Sequence, residues 1–169
     1  MSTTACCGSR GSPVDIDRLE RFWIMISIAV LAALMLAIVY SVRGFGVEVP
    51  TDVGQVDPRT ARETEPFNQP GVRQVGPGHY EVVMLAEAWR FEPSEVRVPA
   101  GSTVTFRLTS LDVIHGFRIP NTNVNLMVQP GQVVEATHRF NEPGTYHLFC
   151  HEYCGAGHHI MDGMLIVER

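Results

Sequence analysis

The sequence predicts an all-β sandwich behind a single membrane-spanning helix, and three observations carry that prediction. Phe22 to Val42 is a run of 21 residues without a charge. From His79 onward, short runs rich in β-branched and aromatic residues take over, several with period-two alternation. Turn segments, Pro99-Ala100-Gly101, Gln129-Pro130-Gly131 and Glu142-Pro143-Gly144, separate those runs at intervals suited to a sandwich. A chain of 169 residues with 45% hydrophobic content has room for one compact domain plus an appendage, not two full domains.

Residues 1–21 read as a cytoplasmic N-terminal segment, with Cys6 and Cys7 reduced and incidental. Residues 22–42 follow as the transmembrane helix. At ~1.5 Å rise per residue the run spans ~31 Å, against a bilayer core of about 30 Å. Phe22 and Trp23 at one end and Tyr40 at the other suit an aromatic belt. A cleavable signal peptide would have an apolar region of about 7–15 residues and a small-residue cleavage site. Arg43-Gly44-Phe45-Gly46 is no such site, so a retained anchor is expected. Arg10, Arg18 and Arg21 precede the run whereas Arg43 alone stands close behind it, which favours a cytoplasmic N-terminus and an extracytoplasmic C-terminal domain.

Residues 43–78 contain Pro50, Pro58, Pro66, Pro70 and Pro77 with little hydrophobic periodicity, and read as an extended linker or surface strap. Residues 79–169 are the expected β domain. Its strands are Tyr80–Leu85, Glu95–Val98, Thr103–Leu108, Val133–Phe140, Thr145–Phe149 and Met164–Val167. Val104, Phe106 and Leu108 alternate with Thr103, Thr105 and Arg107, giving that strand one core face and one wet face. The net charge of −5 falls entirely beyond residue 42, where ten Arg face fifteen acidic residues. No lysine occurs, and no basic-aromatic pattern suggests nucleic acid.

The chemistry concentrates in Cys150-His151-Glu152-Tyr153-Cys154-Gly155-Ala156-Gly157-His158-His159-Ile160-Met161. Thiolate and thioether are soft donors that favour Cu(I), and imidazole serves either copper state, so the set points away from magnesium, calcium or manganese. Asp112-Val113-Ile114-His115 offers a further histidine, distant in sequence but within reach once strands pack. Competing readings differ in what they leave unused. A Cys150–Cys154 disulfide suits an oxidising compartment but leaves His115, His158 and Met161 unexplained. Tetrahedral zinc takes two Cys and two His but has no use for Met161. Covalent haem c needs Cys-x-x-Cys-His, a spacing absent here. A mononuclear blue-copper site uses one cysteine, and Cys154 is a second, which favours a binuclear centre. Gly155 and Gly157 permit positive φ where the loop must fold back around a metal.

The pattern Cys-x3-Cys-x3-His-x2-Met, preceded by Asp-Val-Ile-His, resembles subunit II of the haem–copper cytochrome c oxidases over about Tyr80 to Glu168. The single apolar run is similar to the branch with one membrane helix. The resemblance implies a cupredoxin-like Greek-key sandwich and a binuclear copper-A centre of two copper ions. Cys150 and Cys154 would bridge the coppers, and His115 and His158 would each cap one. Met161 sulfur and the Glu152 backbone carbonyl would be weak axial donors. In the family a matching glutamate side chain also holds magnesium at the interface with subunit I, although the single-helix branch often lacks that carboxylate. Asp112 is a candidate acceptor for the second ring N–H of a ligand histidine, and equally a candidate turn cap. Trp89 and Phe91 match the aromatic patch where the family's donor, a cytochrome c or blue-copper protein, delivers its electron, although aromatics at alternate strand positions are more often core, Phe91 above all. Haem would lie in the partner subunit I, since Phe22–Val42 has no histidine. The alternatives are a copper-A subunit of a nitric oxide reductase-type enzyme, distinguished by its co-purifying large subunit, and a copper carrier, distinguished by rapid copper loss to a mild chelator.

Overall fold

The computed structural model describes residues 16–45 and 51–169, so Cys6 and Cys7 lie outside the described residues. Two compact units divide the chain, residues 1–46 and 47–169. The first is built on α1 (Ile16–Phe45), of 30 residues, longer than the charge-free run at both ends. Apolarity marks the expected span. The helix itself continues wherever good helix formers continue, and Arg18, Leu19, Glu20 and Arg21 are such residues. Within Asp17–Gly44 an 18-residue stretch reaches a mean hydropathy of 2.8, and its side chains are exposed within the chain, as a helix surrounded by lipid requires.

The second unit has eleven strands among the described residues: β1 (Thr51–Gln55), β2 (Gly71–Gly76), β3 (His79–Glu87), β4 (Arg90–Glu92), β5 (Glu95–Pro99), β6 (Ser102–Ser110), β7 (His115–Arg118), β8 (Asn125–Val128), β9 (Gln132–Phe140), β10 (Gly144–Phe149) and β11 (Asp162–Glu168). They form the cupredoxin-like two-sheet sandwich expected from the sequence. One sheet runs β1-β9-β6-β3-β2, with β4 also paired to β3, and the other runs β5-β11-β10-β7-β8. All six expected strands are present, each within a few residues of its expected bounds. Between the sheets lies a core that includes Val82, Met84, Val104, Phe106, Leu108, Phe117, Leu126, Leu148 and Leu165.

The segment expected as a linker contributes to this unit. β1 pairs with β9 and β2 with β3, both antiparallel, and the chain between them lies on the outer face of the first sheet. There Val56, Ala61 and Phe67 form a second buried cluster with Val83, Leu85 and Val133. This covering accounts for the β3 sequence. Val82-Val83-Met84-Leu85-Ala86 is continuously apolar because both of its faces are buried, one by the sandwich core and one by the strap. Polar bonds fix the strap: Arg73 donates to the carbonyls of Pro66 and Gln69 at 3.1 and 2.9 Å. Arg62 pairs with both Glu87 and Glu92.

Candidate metal centre

The ligand segments converge at one end of the sandwich because the strand ladders hold them there. β10 and β11 pair up to Phe149 opposite Asp162, and the N–H of Cys150 donates to the Met161 carbonyl at 3.1 Å, closing the intervening loop at its base. Within the loop a 3₁₀ turn spans His158–Ile160, and Met161 N–H donates to the His158 carbonyl. Residues three apart eclipse in a 3₁₀ turn, so His158 and Met161 share a side. His159 is turned out and exposed. Gly155 has φ +115°, as the fold-back requires. Gly157, which the sequence also leaves free to take positive φ, has φ −92°; its constraint is steric, because a Cβ there would lie 2.4 Å from the Trp89 ring.

The donor atoms are close and mostly dry. His115 is completely buried, and a ligand nitrogen of His115 with the sulfurs of Cys150 and Cys154 all lie within 4.8 Å of one another. Cys150 Sγ is 3.7 Å from Cys154 Sγ and 3.1 Å from the Glu152 carbonyl oxygen. Cys154 Sγ is 3.6 Å from His158 Nδ1 and 3.7 Å from Met161 Sδ. The cysteines are free thiols, and their separation is far beyond an S–S bond of about 2.05 Å.

One buried atom fits a metal and nothing else nearby. His115 donates from Nε2 to Asp112 Oδ1 at 2.8 Å, which leaves Nδ1 as the acceptor nitrogen, buried and without a hydrogen-bond partner. A bare buried acceptor costs about 1–3 kcal/mol, a cost that coordination would remove. Asp112 also accepts the backbone N–H groups of Ala88 and Val113, each at 2.7 Å. Burial works to raise its pKa, but the bond from His115 and the two backbone donors outweigh burial and hold the carboxyl below its ordinary range. Asp112 therefore stays a carboxylate that orients His115 and ties the β3–β4 turn to the ligand segment. The Cys154 thiol is pushed up to about 12, first by burial and then by its bond and charge coupling with Cys150 and the charge of Asp112. Metal uptake here must displace thiol protons, which only a strongly thiophilic ion does readily.

Trp89 and Phe91, paired in the sequence reading, separate in the structure. Trp89 sits between β3 and β4, is 41% exposed, and donates from Nε1 to the Cys154 carbonyl at 3.1 Å. Its ring lies where a side chain on Gly157 would have to go. Phe91 is a core residue, edge-on to Phe117 at 5.3 Å between ring centroids, so the expectation of a surface role for it fails on burial. Sequence reasoning missed Gly116, whose N–H donates to Cys150 Sγ at 3.4 Å and whose missing side chain leaves space occupied by the His151 ring. A glycine directly after a proposed ligand was the available signal.

Comparison with known proteins agrees with this geometry. The family model for the periplasmic domain of cytochrome c oxidase subunit II matches residues 84–168. A cytochrome c oxidase subunit 2 of Thermus thermophilus is 38% identical over 154 residues, covering 89% of this chain and 92% of that protein. A second Thermus thermophilus cytochrome c oxidase subunit 2 is 42% identical over 117 residues, covering 68% of this chain and 87% of its own length. A chain in the solved structure of a haem–copper terminal oxidase dimer superposes with a TM-score of 0.73 at 37% identity, over 89% of this chain and 99% of that one. The chain thus belongs to the family of cytochrome c oxidase subunit II, the subunit through which electrons enter a haem–copper terminal oxidase.

Proposed function

We propose that this chain holds a binuclear copper-A centre of two copper ions, with Cys150 and Cys154 as bridging thiolates and His115 and His158 as the capping imidazoles. Met161 sulfur and the Glu152 carbonyl would complete the donor set as weak ligands. The observation that carries this reading is the convergence of two free thiols, the His158 imidazole, a thioether and a carbonyl at 3.1–3.7 Å steps, with a His115 nitrogen within 4.8 Å of both sulfurs and its Nδ1 orphaned. When bound, copper there supplies a one-electron centre whose potential the weak ligands tune. The residues around it keep reorganisation small: His115 is clamped by Asp112, Cys150 by the Gly116 N–H, and the loop base by the β10–β11 ladder. Burial of His115, Cys150, Cys154 and Met161 favours a retained centre over the open site that a carrier needs.

The donor, a cytochrome c or blue-copper protein, docks where the ligand segments reach solvent. Trp89, Val113, Ile114, Tyr153 and Ile160 expose apolar surface on those same segments, so contact there is apolar, and the negative charge acts at longer range. Trp89 links the surface to the centre through its bond to the Cys154 carbonyl. The electron passes on to haem in subunit I. The N-terminus lies in the cytoplasm and residues 79–169, with the strands that precede them, on the extracytoplasmic side, a reading that the arginine bias around the anchor supports. Glu152 offers its side chain to magnesium at the subunit I interface, with the other ligands coming from that partner.

Three outcomes test the assignment. Met161→Leu keeps copper bound but shifts the reduction potential and the absorption spectrum, and His158→Ala damages the centre far more than His159→Ala. The reverse order of the two histidine variants would overturn the ligand choice. Asp112→Ala lowers copper affinity ~10–100-fold, the usual cost of removing the partner that orients a ligand histidine, measured by chelator competition. Trp89→Ala slows stopped-flow reduction by the donor at unchanged copper content; unchanged kinetics across ionic strengths would restrict Trp89 to packing on the ligand loop.

A further inference from the structure

The outer face of the second sheet carries soft donors that the centre does not use. His147 and Met164 are directly opposed in the β10–β11 ladder, and both are exposed. Directly opposed residues hold their Cβ atoms about 4.5–5.5 Å apart on one face, close enough for an imidazole and a flexible thioether to share one ion. Two residues on from His147 stands Phe149, and two further stands His151. The His151 ring covers Gly116, its atoms lying 2.6–2.7 Å from where a Gly116 Cβ would stand. Met127 is directly opposed to Gly116 in the β7–β8 ladder and is 43% exposed, between the buried Leu126 and Val128. The same register argument sets Met127 Cβ about 4.5–5.5 Å from where a Gly116 Cβ would stand, the space that the His151 ring fills, so the two side chains are neighbours on that face.

Four methionines lie in the folded unit. Met84 and Met161 are buried, and the exposed pair, Met127 and Met164, each stand beside a histidine on one face. A solvent-facing strand position ordinarily carries a polar side chain. Imidazole paired with thioether is instead a donor set that selects Cu(I). His151 is also the residue next to Cys150, and Gly116, beneath its ring, bonds Cys150 Sγ.

We infer that His151 with Met127, and His147 with Met164, form a surface Cu(I)-binding row that captures copper and passes it inward to Cys150 and Cys154. Copper moves as Cu(I) throughout. Transfer is ligand exchange: the bond to the outer imidazole and thioether breaks, a Cu–S bond to a cysteine forms, and that thiol releases its proton to water. No electron is exchanged. The destination rests on the copper-A reading above, whereas the capture step does not.

The test separates the two. In the full-length chain in detergent, with Cys6, Cys7, Cys150 and Cys154 all replaced by Ser, Cu(I) is titrated against bicinchoninate under anaerobic conditions. The row retains Cu(I) in that background, and adding Met127→Leu, Met164→Leu, His147→Phe and His151→Phe, which remove all four donors of the row, lowers the retention to what His115, His158 and Met161 hold without it. Equal retention with and without those donors would overturn the capture site. With Cys150 and Cys154 restored, the chain lacking the row's donors should fill the centre severalfold more slowly from Cu(I) yet reach the same final copper content and, after oxidation with added ferricyanide, the same spectrum. Equal filling rates would overturn the passage inward. A chain that retains Cu(I) in the thiol-free background but never fills the restored centre would leave the row standing and refute the copper-A reading instead.

Discussion

Replacing Cys150 or Cys154 by Ser abolishes the delocalised mixed-valence copper signal while the β-sandwich stays folded. The two sulfurs lie 3.7 Å apart at the focus of every other donor, and a serine hydroxyl cannot replace the soft, electron-rich bridge of a thiolate. The fold survives because the main core, from Val82 and Phe106 to Phe117 and Leu165, does not depend on the metal. Far-ultraviolet circular dichroism and thermal unfolding check the fold, and electron paramagnetic resonance checks the centre. A variant that kept a delocalised signal would remove that cysteine from the bridge. In the thiol-containing chain, apparent copper affinity should also rise with pH. The raised Cys154 pKa means that its proton must be displaced below about pH 12, and each step up in pH lowers that cost.

A soluble fragment beginning at Val47 folds, whereas one beginning near Gly78 does not. The sequence reading expects the shorter fragment to suffice, since all proposed ligands lie between His115 and Met161. The structure moves the boundary. Starting at Gly78 removes β1, β2 and the strap, and uncovers Val83, Leu85 and Val133. Loss of Phe67 alone is comparable to a buried Phe→Ala change, about 3–5 kcal/mol, and each uncovered aliphatic side chain adds about 1.5–3 kcal/mol. Those losses together rival the total stability of a domain, about 5–15 kcal/mol. Size-exclusion chromatography and thermal unfolding of the two fragments distinguish the outcomes. Equal melting temperatures would show that the strap only decorates the sheet.

The strap shows where sequence reasoning stops. Five prolines and weak periodicity in residues 43–78 read as a linker, because β1 and β2 are edge strands of five and six residues whose burial depends on a sheet formed far along the chain. The uninterrupted apolar run of β3 was the visible trace of that covering. β4, β7 and β8, of three to four residues, are too short for any period to register, and β7 begins on the ligand His115 itself. The long strand β6 was legible because its alternation marks one core face. At the centre, the donor types and spacing were readable from chemistry. Distances were not, nor was the different fate of Trp89 and Phe91: their spacing suggested one face of a strand, but a turn intervenes and sends one ring to the surface and the other into the core.

The central claim is a centre of two coppers joined by two thiolates, and copper quantification per folded chain, together with electron paramagnetic resonance of the unmodified protein, tests it most directly. Two copper ions per chain sharing one unpaired electron is the predicted result. One copper per chain, with a signal localised on a single ion, would contradict it.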